Sequence, residues 1–498
     1  MKEYDLISIG TGSAMSIVEY MVRTNREMKV AVIDKDDPGG ICLTRGCIPS
    51  KMLLFPAELV RTIEMARGFG IEVDVKQIRF EKVMERMKVA ISEEINMIRE
   101  GLSSSKEIDY YHSVAEFIRP YTLKVDDQII TSKMIFLCTG SKPTIPPIKG
   151  LDRIRYYTSD TVLKMTQLPP SLAVVGGGYI AAEYGHFFAA MGSKVTIVGR
   201  NPQFLPSEEP EISSLAKRKL GEHINILTDH EVKEVTEGKG GKSRLVAVNR
   251  KNEKVTEIVA EAILVATGRG PNTGILHPEK GGIKTDRQDW IVTNEYLKTS
   301  QPNVWAFGDA NGRYPFKHAA NYEATVVYSN AVLKRRVKAD YHAVPHAIFT
   351  YPEIASVGLG EKEAIDRHGK DRVLMGIQRY QDTAKGEAMG VEDCFVKVIV
   401  EEGPMKILGA HIIGPQASVL IQEIINLMYT PEQSVEPIIS GMHIHPALSE
   451  VVERAFRNLM TSEQYHHVVE HYFGLELTNT EPEPESPRAM SKAGTFEE

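Results

Sequence analysis

The chain has 498 residues, of which 42% are hydrophobic, and it carries a formal net charge of -7. This length predicts about three globular domains with sizeable cores, and the acidic balance without any long basic run argues against a nucleic-acid partner. The N-terminus enters an apolar strand at once and no stretch of 18 apolar residues occurs, so we predict a cytoplasmic protein with no secretion signal and no membrane span.

The first predicted element is a βαβ unit. An apolar strand in residues 4–16 leads into Gly10 and Gly12, a helical stretch follows, and a second strand ends at Asp34. Glycines in this pattern tighten the turn and let a pyrophosphate approach the amide groups at a helix N-terminus. The third position of the pattern is Met15 rather than a small residue, so we expect helix and strand to pack less closely there. We interpret the unit as a dinucleotide site.

Two of the four cysteines lie in the next segment, GGICLTRGCIPSK, residues 39–51. In a regular helix the Cα atoms of Cys42 and Cys47 would be about 8 to 9 Å apart, and a disulfide tolerates less than about 7 Å. If they pair, the chain must be irregular there, and the glycines of the segment supply the freedom for that. Pro49 suits the first turn of a following helix, which would place Cys47 near a helix N-terminus that favours the thiolate.

This cysteine pair is interpreted as redox-active. The protein has only four cysteines and is expected in a reducing compartment, so a framework of structural disulfides is not expected. A metal site would need two more ligands, and the remaining cysteines have no paired spacing, so we predict no metal. These remaining cysteines are Cys138 and Cys394.

Three further apolar strands end in residues suited to a ligand. One ends in Thr139 and Gly140, one in a Thr-Gly pair with Gly268, and one in Gly308 and Asp309. An acid at the carboxyl end of a strand can reach a ligand in the crevice there. The alternative for Asp309 is an ordinary turn former.

A second βαβ unit repeats the first, with Gly176, Gly178 and Ala181 in the glycine pattern. Its second strand is followed by Gly199, at the position where the first unit has an acid, and then by Arg200. Losing an acid and gaining an arginine favours a 2′-phosphate, and therefore NADPH over NADH. The alternative is a solvated arginine at a strand end.

The chain from residue 346 predicts a third domain of strands and helices without a glycine pattern. Within it, HIHPALSE places His445 five residues before Glu450, and a carboxylate on one ring nitrogen would orient the imidazole as a proton acceptor. A lone histidine is more often a surface or core residue. The acidic, proline-rich stretch 478–498 is predicted to be disordered.

Taken in order from residue 4 to about 460, these motifs resemble the flavin-dependent pyridine nucleotide-disulfide oxidoreductases, and most of all the dihydrolipoamide dehydrogenases. The signature that carries the resemblance is the cysteine segment, supported by both glycine patterns, both Thr-Gly strands, Gly308-Asp309, FTYPEIASVG and HPALSE. The resemblance implies an α/β homodimer with two Rossmann-like dinucleotide-binding domains, for FAD and NAD(P), and a C-terminal α+β dimerisation domain. The implied boundaries are 1–150 and 276–345 for the FAD domain, 151–275 for the NAD(P) domain and 346–470 for the dimerisation domain.

The resemblance also implies residue roles. Cys47 would lie beside the flavin and Cys42 would exchange with substrate, with His445 as the base and Glu450 as its partner. His443 is less suitable, because the family places proline directly after the catalytic histidine. The residues implied for FAD are Gly10, Gly12, Asp34, Lys51, Thr139, Gly140, Gly308 and Asp309. Those implied for NAD(P) are Gly176, Gly178, Ala181, Glu183, Arg200 and Gly268, with Glu183 also pairing with Lys51.

The implied activity moves electrons between NAD(P)(H), FAD, the Cys42–Cys47 disulfide and a substrate disulfide or dithiol. The first hypothesis is a dihydrolipoamide dehydrogenase, although that group resembles NAD users with an acid where this chain has Gly199. The alternative is an NADPH-dependent reductase of a low-molecular-weight disulfide. A mercuric-reductase-like enzyme is disfavoured because no cysteine follows Cys394. A non-enzymatic redox-sensing flavoprotein would not need an acid/base pair.

Overall fold

The computed structural model describes residues 1 to 473, so the predicted acidic tail at 478–498 lies outside the described residues. In this part of the chain, no helix is both long enough and apolar enough to cross a bilayer. The architecture confirms the predicted fold class: two parallel sheets, each built around one glycine pattern, precede a C-terminal antiparallel sheet covered by helices.

The first unit is a five-stranded parallel sheet in which four strands are fully buried, as strands covered on both faces usually are, whereas the edge strand Ile108–Tyr111 is partly exposed. Its strands, in spatial order, are Val304–Ala306, Ile135–Leu137, Leu6–Ile9, Val30–Ile33 and Ile108–Tyr111. The helices associated with it are Met15–Thr24, Phe80–Ser104 and Lys317–Val327. An additional four-stranded sheet joins Lys2–Tyr4, Gln128–Ser132, Thr122–Val125 and Ala115–Arg119. Because the strands are parallel, the residues that follow them meet at one edge of the sheet.

The cysteine segment forms two helices. The first helix is Gly40–Arg45 and the second is Cys47–Ala66. Gly46, between them, has φ -127° and ψ -120°, far from helical values, so the predicted irregularity lies at this glycine. Pro49 lies in the first turn of the second helix, which begins at Cys47, as predicted.

The second unit repeats this plan. Its parallel strands, in spatial order, are Tyr157–Thr158, Ala262–Val265, Ser171–Val175, Lys194–Val198 and Ile224–Leu227. Its helices are Tyr179–Met191 and Pro210–Gly221. A three-stranded antiparallel sheet adds His230–Glu237, Ser243–Asn249 and Val255–Ala260, and a two-stranded ribbon of Ser141–Pro143 with Arg269–Pro271 connects the two units.

The C-terminal part is a six-stranded antiparallel sheet. Its strands, in spatial order, are His346–Ile348, Ile354–Gly358, Lys406–Ile413, Phe395–Glu401, Val373–Arg379 and Leu459–Thr461. Its helices are Glu361–His368, Ala384–Ala388, Ala417–Met428, Glu436–Ser440, Ser449–Arg457 and Ser462–Phe473. The boundaries at 150, 275 and 345 remain predictions.

A buried ionic cluster attaches the second unit to this C-terminal part. The fully buried ammonium group of Lys397 lies 2.6 Å from carboxylate oxygens of Glu209 and of Glu211, and 2.9 Å from one of Glu361. Buried charges need partners of this kind, because an unpaired ion in the interior is costly. The cluster therefore connects the helix that begins at Pro210 to the C-terminal sheet.

Candidate active site

The carboxyl edge of the first sheet opens into a cavity, here called the first cavity. All eight residues implied for FAD line it, and so do both cysteines of the signature. The lining residues from these two groups are Gly10, Gly12, Asp34, Cys42, Cys47, Lys51, Thr139, Gly140, Gly308 and Asp309.

The glycines that line the first cavity let backbone segments approach each other closely and leave space for a ligand. Gly10 has φ +108°, and a Cβ there would lie 2.1 Å from the carbonyl oxygen of Cys138, whereas a Cβ on Gly12 would meet open space. Asp34 is held by the amide and hydroxyl of Thr11, which donate to its Oδ2 at 2.9 and 2.5 Å. The buried Thr139 hydroxyl has no hydrogen-bond partner in the described part of the chain, so a polar group of a ligand could complete its bonding.

The far end of the first cavity contains an acid that its surroundings keep in place. Ser141 donates to Asp309 Oδ2 at 2.5 Å, and Arg269 donates through Nε to the Ser141 hydroxyl at 2.8 Å. Burial raises the pKa of Asp309, against the effect of the Ser141 hydrogen bond. Neither Ser141 nor Arg269 belongs to a motif of the sequence, although each directly follows a Thr-Gly pair at a strand end.

The two signature thiols are free and lie within hydrogen-bonding distance of each other. The Cys42 thiol donates to Cys47, and this hydrogen bond is the main cause that lowers the pKa of Cys47 to about 6, against its burial. Lys51 lowers this pKa further and Glu183 opposes it. The same hydrogen bond, followed by burial, raises the pKa of Cys42. Cys47 is therefore the thiolate of the pair and Cys42 the protonated partner.

An ion pair stands between the first cavity and the second unit. Lys51 Nζ lies 2.9 Å from both carboxylate oxygens of Glu183, and it lies 4.6 Å from the ring centroid of Phe349. The amide of Phe349 also donates to Glu183, at 3.0 Å. The pair implied by the resemblance is thus present in the geometry, and both its members line the first cavity and the neighbouring cleft.

A large open cleft, here called the second cleft, lies along the second unit and also contains both cysteines. Gly176 has φ +129°, and a Cβ there would lie 2.2 Å from the carbonyl oxygen of Ala266. Of the residues implied for NAD(P), five line the cleft: Gly176, Gly178, Glu183, Arg200 and Gly268. Ala181 does not line the cleft. It lies on the helix Tyr179–Met191, which follows the glycines, and its side chain is fully buried.

The second strand of the second unit is followed by a glycine where the first unit has Asp34. Gly199 directly follows the strand Lys194–Val198, and a Cβ there would lie 3.2 Å from Cα of Gly177. Arg200 lines the cleft and is exposed. Its guanidinium pairs with no acidic side chain among residues 1 to 473, so it is available to an anionic group.

The predicted acid/base pair forms outside the lining of the two cavities that contain the thiols. His445 Nδ1 lies 3.0 Å from Glu450 Oε1, and Glu450 also accepts from the amide of Ala447 at 3.2 Å. The hydrogen bond from His445 is the main cause that lowers the pKa of Glu450. The His445 side chain is 66% exposed, and it is not among the described residues that line the first cavity or the second cleft.

Comparison with known proteins accounts for this combination of features. The family model described as pyridine nucleotide-disulphide oxidoreductase matches residues 4–324, and that of its dimerisation domain matches residues 344–456. The chain belongs to the pyridine nucleotide-disulphide oxidoreductase family.

Relatives from several branches of the family are similar to the chain. Mycothione reductase of Mycobacterium tuberculosis is 35% identical over 470 residues, covering 92% of this chain and all of that protein. Dihydrolipoyl dehydrogenase of Synechocystis is 32% identical, covering 91% and 98%, and mercuric reductase of Staphylococcus aureus is 33% identical, covering 84% and 76%. The Cu(II) complex of the HOCl-induced flavoprotein disulfide reductase RclA from Escherichia coli matches with a TM-score of 0.81 at 25% identity, covering 92% and 99%.

The family confirms the general function predicted from the sequence. The chain is an NAD(P)-dependent flavoprotein disulfide oxidoreductase that binds FAD and a pyridine nucleotide, and its dimerisation domain indicates a homodimer. Hence the first cavity is called the flavin cavity below.

Proposed function

We propose that this chain is an NADPH-dependent reductase of a low-molecular-weight disulfide rather than a dihydrolipoyl dehydrogenase. The observation that carries the proposal is the ribose end of the second cleft, where Gly199 replaces an acid and Arg200 forms no ion pair in the described structure. An acid at that position would hydrogen-bond the ribose hydroxyls of NADH, whereas an arginine accommodates a 2′-phosphate. Mycothione is the first disulfide to test, because the mycothione reductase of M. tuberculosis is among the relatives.

The residues of the flavin cavity fit FAD. Asp34, fixed by Thr11, suits the ribose hydroxyls, the Gly10 turn suits the pyrophosphate, and the unpartnered hydroxyl of Thr139 can meet a polar group of the cofactor. FAD, when bound, supplies the two-electron relay between the nicotinamide and the cysteine pair. Lys51 and Glu183 lie where the flavin cavity meets the second cleft. They form an ion pair, so together they add no net charge there.

The thiols divide the exchange reaction between them. Cys42, as thiolate, attacks one sulfur of the substrate disulfide; a bond forms between Cys42 and that sulfur, the substrate S–S bond breaks, and the first thiolate leaves and takes up a proton. Cys47 then attacks the Cys42 sulfur, the Cys42–Cys47 disulfide forms, and the second substrate thiolate leaves. The enzyme dithiol loses two electrons and the substrate disulfide gains them.

Cys42 needs a base, because its own pKa is raised. We infer that His445 of one subunit serves Cys42 of the other. His445 is in the segment that matches the dimerisation domain, and exposed apolar residues surround it in the sequence, among them Met442 and Ile444 at 103% and 78% exposure. The helix that begins at Cys47 also exposes Phe55. A subunit interface that covers both apolar surfaces would bring the His445–Glu450 pair to the partner's thiols.

The test is a steady-state assay of the purified holoenzyme with NADPH and NADH, each against mycothione, glutathione disulfide and lipoamide. We expect NADPH with one low-molecular-weight disulfide to give the highest kcat/KM. Faster NADH-driven turnover of lipoamide, or faster dihydrolipoamide oxidation with NAD⁺, would instead support the dihydrolipoyl dehydrogenase hypothesis.

A further inference from the structure

Lys317 is a cation that lines the two cavities containing the thiols, and neither the motifs nor the mechanism above uses it. It is the first residue of the helix Lys317–Val327, and it lines both the flavin cavity and the second cleft, as Cys42 and Cys47 do. Its side chain is partly buried, and its Nζ donates to the Ser13 hydroxyl at 3.1 Å.

The ammonium group of Lys317 is not neutralised. No carboxylate of residues 1 to 473 lies within ion-pairing distance of it, and Ser13, its hydrogen-bond partner, is neutral and donates onward to Asn321 at 2.9 Å. The contrast with Lys51 is direct, because both carboxylate oxygens of Glu183 pair with Lys51. A partly buried charge without a counterion acts on its neighbours more strongly than a neutralised one.

The two lysines lower the pKa of different thiols. Lys51 lowers the pKa of Cys47, and Glu183 partly cancels its effect. Lys317 lowers the pKa of Cys42, against the raising effects of the Cys47 hydrogen bond, of burial and of the Cys47 charge. The titratable groups that act on the pKa of Cys42 are thus Cys47, the first residue of the next helix, and Lys317, the first residue of the helix Lys317–Val327.

We propose that Lys317 stabilises the anionic form of Cys42 and so sets the nucleophilicity of the thiol that attacks the substrate disulfide. The inference rests on the proposed role of Cys42 in exchange. In that step Cys42 loses its proton to the base before the Cys42–sulfur bond forms, and Lys317 offsets the negative charge that appears at this sulfur beside the Cys47 thiolate. Lys317 acts through Cys42 and positions charge, without itself transferring a proton or an electron.

The test measures Cys42 directly, in FAD-loaded full-length protein and without NADPH or any disulfide. In a Cys47→Ser background, the rate at which iodoacetamide alkylates Cys42 is followed by mass spectrometry across pH. We expect Lys317→Met to raise the apparent pKa of Cys42 by about one unit, and so to slow alkylation roughly tenfold at pH values below that pKa. Lys317→Arg should restore the rate, and Lys362→Met, which removes another lysine of the second cleft, should leave it unchanged.

Two results would overturn the inference. One is an unchanged pH profile for Cys42 in Lys317→Met, and the other is a shifted flavin reduction potential with an unchanged Cys42, which would assign the charge to the cofactor. If Lys317→Met fails to retain FAD, Lys317→Gln gives the same readout with a side chain that can still donate to Ser13. Because no substrate is present, failure of every disulfide in the turnover assay would refute the proposed function and leave the alkylation result standing.

Discussion

The two dinucleotide units share one backbone construction and differ in what they present to the ribose. In each, the first glycine of the pattern lies against a carbonyl oxygen of a neighbouring strand end: Gly10 against Cys138 and Gly176 against Ala266, with a Cβ distance of 2.1 Å in the first and 2.2 Å in the second. A side chain at either position would collide with backbone. The close backbone approach at the glycine turn is therefore the same in both units.

The ribose end shows the difference. In the first unit Thr11 donates twice to Asp34, and the corresponding residues of the second unit are Gly177 and Gly199, whose backbones approach each other instead. The acid and its donor are missing together, which leaves room beside Arg200. The glycines of such a unit are typical of any dinucleotide site, whereas the residue after the second strand is the one expected to distinguish the nucleotides.

The largest expected effect concerns the thiols. Cys42 and Cys47 follow the second strand of the first βαβ unit, and no cysteine follows the corresponding strand of the second βαβ unit before residue 394. Cys42→Ser and Cys47→Ser should each abolish disulfide turnover, because each removes one sulfur of the two-step exchange. Only Cys42→Ser should keep a thiolate next to the flavin and hence a long-wavelength absorption band without reductant. Stopped-flow and static spectra check this. Full reductase activity in either variant, or a band that follows Cys42, would contradict the assigned roles.

The same thiolate predicts a pH dependence. Because the pKa of Cys47 is lowered to about 6, the reduced wild-type enzyme should keep the band above that pH and lose it as the pH falls through about 6. A spectrophotometric titration of the two-electron-reduced enzyme measures the midpoint. A midpoint near the ordinary thiol value would show that the Cys42 hydrogen bond does not stabilise Cys47.

The matched glycines should separate the two cofactors. Gly10→Ala should lose FAD, because the added methyl group collides with the Cys138 carbonyl. Gly176→Ala should keep FAD and remain yellow. Its flavin reduction by NADPH should fall by about 100-fold or more if NADPH binding weakens by roughly 3 kcal/mol. FAD content and stopped-flow flavin reduction are the measurements. Gly101→Ala, where a Cβ meets nothing within 4 Å, is the control. Equal FAD loss in both variants would mean that the two cradles are not separate sites.

The strands that lead to the glycine patterns, to the Thr-Gly pairs and to Asp309 could be predicted because each is an apolar run, whereas the edge strands Ile108–Tyr111 and Ile224–Leu227 contain a polar residue and are not predicted by such a run. The equivalence of Asp34 and Gly199 in the two units was also predictable, because each residue directly follows its strand, and the strands end at Ile33 and Val198. The break in the cysteine segment followed from helix geometry and the glycine content. These predictions depend on short stretches of chain, where local sequence carries the information.

The rest of the site depends on contacts between distant segments. Lys317 reaches Ser13 across 304 positions and Ser141 reaches Asp309 across 168, and no spacing pattern encodes such pairs. The sequence also assigned Ala181 to cofactor binding, where the structure gives it a packing position. His445 could be matched to Glu450 because they are five residues apart, whereas its position outside the two cavities that contain the thiols is a property of the fold.

Acidic residues in place of Gly199 and Arg200 should have a smaller effect, on the choice of nucleotide. Gly199→Asp with Arg200→Glu should shift the NADPH/NADH preference toward NADH, by about 5- to 150-fold if roughly one to three kcal/mol of charge-assisted bonding changes sides. The ratio of kcat/KM for flavin reduction by the two nucleotides is the readout. Lys362→Met, which leaves this end intact, should keep the wild-type ratio. An unchanged ratio in the double variant would remove the basis for the NADPH proposal.

The smallest effect tests the third position of the pattern, where the units also differ. Ala181 is fully buried between helix and sheet, whereas Met15 is partly exposed at the start of its helix. Ala181→Met should therefore overpack the second unit and lower the free energy of unfolding by about 1–3 kcal/mol, whereas Met15→Ala should lower it by roughly 1 kcal/mol or less. Thermal unfolding of the holoenzyme, with and without NADPH, compares them. If Met15→Ala proved the more destabilising change, the first helix would pack through Met15 as tightly as the second packs through Ala181, and the looser packing predicted for the first unit would be wrong.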